Sequence, residues 1–197
     1  SALAPFAVNA VYLANDFITE LRKVQDTLQL GATQDPDYDV PYTTLHVGRI
    51  KGGGALNIVP HLCELDFEIR NLAQDDAAEI LGNLTQAAKS IALEAQNIAS
   101  EANIEIEVFN TYPGLDTAGN EPVVGFVKSL TGANSTIKVA YGTEGGLFDQ
   151  RLGVPTVVCG PGDMAQGHKP DEFITETQLS ACDAMLDNLI QRLIIGL

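Results

Sequence analysis

Residues 47–70 read VGRIKGGGALNIVPHLCELDFEIR, and this stretch decides how the first half of the chain is read. Thr43 to Ile50 has the composition of a strand. After Pro60, Cys63, Leu65, Phe67 and Ile69 alternate with Glu64, Asp66 and Glu68. A period of two predicts a strand that buries one face and wets the other. Between the two lies Lys51-Gly52-Gly53-Gly54-Ala55, where consecutive glycines forfeit side-chain packing. Such a run marks a tight turn or a place where backbone comes close to something else.

Upstream, Ala10, Val11, Ala14, Phe17, Ile18, Leu21, Val24 and Leu28 recur at the spacing of one helical face, predicting a helix over 7–30 that Gly31 stops. Residues 34–39 are a polar loop. Downstream, Asp76 and Glu79 have capping-box spacing ahead of an apolar stripe from Ile80 to Ile98. Ile104, Ile106 and Val108 then alternate with Glu105 and Glu107, predicting a third strand. The order α-β-β-α-β over 1–112 is that of a ferredoxin-like module lacking its first strand. The open sheet edge this leaves, with a start at Ser1 instead of methionine, leads us to expect that the N-terminal portion of a longer protein has been removed.

Residues 113–197 read as a β-α-β-like piece. Pro113 to Gly119 has the look of a crossover. Asn120 and Pro122 suit the cap and first turn of a helix ended by Gly132. A strand at 136–140, a short helix near 147–152 and a buried strand at 156–159 are expected next. A second capping box, Thr175 to Gln178, opens a final helix.

Composition narrows the partners. Lys and Arg number 11 against 26 Asp and Glu, a formal charge of −15 without a basic cluster, which argues against nucleic acid or an anionic membrane surface. No apolar run approaches the roughly 20 residues of a membrane span. Cys63, Cys159 and Cys182 are widely spaced, each in an apolar pattern, and read as buried thiols of a cytoplasmic protein.

Reactive side chains and backbone-bending residues are densest from Tyr141 to Phe173, YGTEGGLFDQRLGVPTVVCGPGDMAQGHKPDEF. Gly142, Thr143 and Glu144 offer free amides, a hydroxyl and a carboxylate where a strand would pass into a helix, a place suited to polar ligand groups; a structural turn has the same composition. His168 follows the expected buried strand, and Asp171 and Glu172 stand where a carboxylate could orient its imidazole. An ordinary surface histidine fits the same spacing. Asn57 and Arg70 bracket the second strand and by spacing alone are a turn residue and a surface ion-pair partner. His46 and His61 read as sheet-surface residues.

Three motifs in order carry a resemblance: VGRIKGGGALNIVPHLCELDFEIR, YGTEGG and GPGDMAQGHKPDEF. They resemble the lid signature and the end of the catalytic domain in the zinc amidohydrolase family that contains acetylornithine deacetylase, succinyl-diaminopimelate desuccinylase and carboxypeptidase G. The resemblance implies a lid or dimerisation domain over 1–112 and the C-terminal segment of an α/β zinc-peptidase-like catalytic domain over 113–197. It implies hydrolysis of an N-acyl amino acid amide, N-acetylornithine foremost, in a cytoplasmic homodimer of arginine biosynthesis that pairs through its lid.

By the same resemblance His168 would be one ligand of a site for two zinc ions, with cobalt as a substitute, and Asp171 and Glu172 would support it. Asn57, Arg70, Gly142, Thr143 and Glu144 would bind substrate. The family's other metal ligands, its general base and its lid histidine precede the lid module and do not occur here, so no catalytic residue is expected in these residues and the chain alone is expected to be inactive. Desuccinylase, dipeptidase or carboxypeptidase specificity, or a dimerisation module without catalysis, are the alternatives.

Overall fold

The computed structural model describes residues 3–167 and 169–196, which form two compact units, Ser1–Thr111 and Tyr112–Leu197.

In the first unit a 3-10 turn, Ala4–Phe6, leads into helix α1, Ala10–Leu30. Asn9 caps that helix by accepting from the Val11 amide at 2.9 Å, which moves its start inward from the predicted residue 7. Strand β1, Thr44–Gly52, pairs antiparallel with β2, Cys63–Arg70. Helix α2, Ala77–Ala95, starts at Asp76, whose carboxylate accepts from the Ala78 and Glu79 amides. The predicted α-β-β-α order and the mixed α/β class hold.

The hairpin register explains its two faces. Val47 stands opposite Phe67 and Arg49 opposite Asp66, so Gly48 is an extra residue, a bulge. Leu45, Val47, Leu65, Phe67 and Ile69 pack on the core of Phe17, Leu21, Ile80, Leu84 and Ala88 supplied by the two helices. Phe17 and Phe67 meet edge to face with ring centroids 5.6 Å apart. On the other face Arg49 pairs with Asp66 at 2.7 Å, His46 stands opposite Glu68, and Lys51 opposite Glu64. For Arg49 with Asp66 and Lys51 with Glu64, charges of opposite sign directly across an antiparallel pair are the favourable arrangement.

Two buried polar knots hold the connections. Thr43 is fully buried; its hydroxyl donates to the Asp75 carboxylate and accepts from the Leu72 amide at 2.9 Å. Gln25 on α1 accepts from the Leu45 amide at 2.6 Å and so covers part of the outer edge of β1.

The predicted strand at 104–108 is not one. Ile104 and Ile106 do pack against the core, with Glu105 and Glu107 exposed, but Val108, expected on the covered side, is exposed. Among the described residues, however, no backbone hydrogen bond joins 104–108 to β2 or to any other segment, and the sheet has two strands. A strand is made by its ladder, and periodicity reports only which side chains are covered.

The second unit holds α3, Pro122–Thr131, α4, Gly145–Leu152, and α5, Glu176–Ile195. Glu121, not Asn120, precedes α3, and Gly132 ends it in the left-handed region at φ 74°. The Thr175–Gln178 capping box is fully formed. The stretches expected as strands, 136–140 and 156–159, lie outside any ladder among the described residues. The second is also not buried, since Val158 and Cys159 are exposed. The thiols are free but not buried: Cys63 and Cys182 are half-covered and Cys159 is open to solvent. Apolar neighbours in sequence predict a covered face only where a sheet or helix then lies over it.

Candidate functional site

The loop before α4 is built by close approach. Tyr112 packs its phenol over Gly142, Leu115 and Val158 flank Gly145, and the Pro113 and Gly114 carbonyls press on Gly146. A β-carbon at 142 or 146 would overlap those atoms. Gly145 and Gly146 are both buried. Of the stretch expected as a crossover, Pro113 to Gly119, residues 113–117 pack within this unit. Beyond Leu115, Asp116 pairs with Lys138 at 2.8 Å, and the Thr117 hydroxyl donates to the Thr156 carbonyl.

That packing fixes the residues in front of it. The Thr143 hydroxyl accepts from the Gly145 amide at 3.1 Å, in the manner of a helix cap. Glu144 occupies the cap position, and its carbonyl receives the Leu147 and Phe148 amides at 2.9 and 3.2 Å. Its carboxylate makes no capping bond and is exposed. Gly142, Thr143 and Glu144 are thus together on one loop, with the Thr143 oxygen lone pairs partly engaged and the Glu144 carboxylate turned to solvent. Nothing in the local pattern of Tyr112 singles it out; its place over Gly142 arises only in three dimensions.

Asn57 and Arg70 are not brought together. Asn57 is exposed in the β1–β2 turn, where the Ile58 amide donates to the Ala55 carbonyl at 3.2 Å. Arg70 ends β2 opposite Thr44 and grips Glu68 through Nε at 2.9 Å and Nη2 at 3.2 Å. The length of β2 lies between them, roughly 20 Å at strand rise. The pairing with Glu68 is the surface ion pair that spacing alone indicates.

Asp171 and Glu172 are exposed. Asp171 has φ 60°, the only residue other than glycine in the left-handed region among the described residues. Asp tolerates that conformation better than most side chains, and such positions often accompany functional loops. His168, the expected metal ligand, lies outside the described residues. Among the described residues no group of three or more His, Cys, Asp or Glu side chains is placed to hold a metal ion. They do not by themselves form a metal centre. His46 is exposed on β1, as expected of a sheet-surface residue, whereas His61, also exposed, lies in the loop before β2.

Residues 1–96 match the peptidase dimerisation domain of the M20 peptidases. Over a longer span the chain is similar to acetylornithine deacetylases. That of Yersinia pseudotuberculosis is 31% identical over 183 residues, 93% of this chain and 45% of the relative. Those of Pectobacterium atrosepticum and Shigella sonnei are 32% identical over 183 residues and 34% over 167. The chain therefore spans less than half the length of the curated relatives it matches. Among solved structures, an M20 family metallo-carboxypeptidase from Sulfolobus solfataricus superposes with a TM-score of 0.67 at 17% identity, covering 96% of this chain and 54% of that one, a likeness of fold. The resemblance read from the motifs stands: residues 1–96 match the M20 dimerisation domain, and across most of its length the chain is similar to acetylornithine deacetylases. No helix among the described residues is long and apolar enough to cross a membrane.

Proposed function

We propose that this chain is the lid domain, 1–112, and the end of the catalytic domain, 113–197, of a metal-dependent amidohydrolase that releases an amino acid and a carboxylate from an N-acyl amino acid. N-acetylornithine is the proposed substrate, which would place the enzyme in arginine biosynthesis in the cytoplasm. The supporting observation is the similarity to proteins named acetylornithine deacetylase across both units, at 31% identity over 93% of the chain.

In this reading the parent protein holds zinc, with cobalt as substitute, and His168 is the ligand this chain supplies; the other ligands and the general base come from beyond these residues. Zinc would acidify a bound water and polarise the amide carbonyl. The residues in hand would position substrate. Gly142 and Thr143 would present an amide and a hydroxyl to the substrate carboxylate, and the exposed Glu144 carboxylate would attract a cationic ornithine side chain. Arg70 and Asn57 would act from the lid, and a second copy of the chain would pair through it.

The test is hydrolysis of N-acetylornithine by the full-length parent supplied with zinc, compared with N-succinyl-diaminopimelate and a dipeptide. His168→Ala is expected to lower activity by on the order of a hundredfold or more, since even a residue that only supports a ligand is worth about 10- to 100-fold. Undiminished activity in that variant would sink the reading; preference for another of the three amides would replace the substrate and keep the chemistry.

The match of 1–96 to a dimerisation domain favours a second reading, a module that pairs without catalysis. A dimer by light scattering with no amide hydrolysis at any metal supplement would select it.

A further inference from the structure

Cys159 ends the extended 156–159 segment, and its thiol donates to the Met185 thioether on α5 at 3.5 Å. Cys182 precedes Met185 by one helical turn, and residues three apart on a helix share a face. Cys182 and Met185 are half-covered, whereas Asp183 and Ala184 between them are exposed. The face on which the Cys159 sulfur rests is therefore the one that carries Cys182. The two thiols also act on each other: partial burial raises the Cys159 thiol above its ordinary value, and Cys182 adds to the rise. Both are free, and Cys159 is open to solvent.

We propose that Cys159 and Cys182 form a reversible dithiol–disulfide pair, a redox modification site that ties the 156–159 segment to α5. The co-reactant is a small disulfide such as oxidised glutathione. The exposed Cys159, as thiolate, attacks one sulfur of that disulfide and expels one small thiol. Cys182, as thiolate, then attacks the Cys159 sulfur of the mixed disulfide and expels the second. The pair gives up two electrons and two protons, and the small disulfide leaves as two thiols. A bridge requires Cα atoms about 4.4–6.8 Å apart. The 156–159 segment, which joins no ladder among the described residues, can adjust to that spacing where a strand inside a sheet could not. The bridge would fix the start of the loop that runs through Asp171 and Glu172.

The test treats the full-length protein with oxidised glutathione, quenches it with acid, and maps its peptides without reduction. The expected product is a cross-link between the peptides holding Cys159 and Cys182, two hydrogens lighter than their sum, with Cys63 outside it. Its rate should climb with pH as the raised Cys159 thiol ionises. Cys182→Ser should accumulate on the order of tenfold more glutathione adduct at Cys159, because a held neighbour acts at high effective concentration and normally removes it. The wild-type cross-link itself decides the matter if that variant folds poorly. A stable glutathione adduct at Cys159 in the wild-type protein, pairing of Cys159 with any other cysteine, or no reaction at Cys159 would each overturn the proposal.

Discussion

Gly146 lies so close under the Pro113 carbonyl oxygen that a β-carbon at 146 would overlap it. The atom in the way is main chain, which cannot swing aside. Gly146→Ala must therefore push the start of α4 away from residues 113–114, at an expected cost of about 1–3 kcal/mol for an overpacked site. On the proposed function, KM for the N-acyl amino acid should also rise in this variant of the full-length protein, because Thr143 and Glu144 are carried on that helix start. Gly125, in α3 with open space around it, is the control: Gly125→Ala should stabilise by about 0.5–1 kcal/mol. Urea unfolding of the two variants reads both signs.

Thr43 is the second test of packing. Thr43→Val keeps the shape but removes the hydroxyl that joins Asp75 to the Leu72 amide. A buried donor and a carboxylate then lack a partner, and about 1–3 kcal/mol should be lost. Thr43→Ser should recover most of it. A loss in Thr43→Ser with none in Thr43→Val would locate the effect in the methyl group instead.

Asn57 and Arg70 sit at opposite ends of β2, so a single small substrate cannot touch both within one copy of the hairpin. If each aids binding, their effects on kcat/KM should add, with a coupling below about 0.5 kcal/mol in a double-mutant cycle, as for sites without shared partners. A larger coupling would mean that one substrate bridges Asn57 of one copy and Arg70 of another.

The Cys63 thiol is raised by burial first and by the adjacent Glu64 charge second. The folded chain thus holds its proton more tightly than the unfolded chain. The stabilisation is complete below the unfolded thiol pKa and is lost as pH rises through the folded one. Stability of the wild type should therefore decline between about pH 8 and about pH 10, around the ordinary thiol value. Cys63→Ser should flatten that decline. An equal slope in both proteins would count against it.

Local rules carried far in this chain where the physics is local. Alternation around Phe67 and the spacing of Phe17 and Leu21 report which side chains are covered, and the structure covers them. The Thr175 box forms because its donors and acceptors lie within four consecutive residues. Pairing is another matter: Ile104 and Ile106 alternate as a strand would, yet a ladder depends on what lies beside them. The glycines at 142 and 146 were legible as part of a bend, but Tyr112 and Pro113, which make them obligatory, are some thirty residues away in the chain, at a separation where no local period reaches. Asn57 and Arg70 look adjacent as motif residues and are separated by the extension of the strand between them.

Between residues 104 and 108, Ile104 and Ile106 have found a core, and the main chain has found no partner among the described residues. Outside any ladder, those amides should trade their hydrogens with solvent almost as freely as an unfolded peptide, even while Leu84 beneath them is sealed. Such a segment is a vacancy in a ladder. It is where this fold can accept a further extended chain at little cost, and where a concentrated solution of it has the most to gain by borrowing a strand from its neighbour.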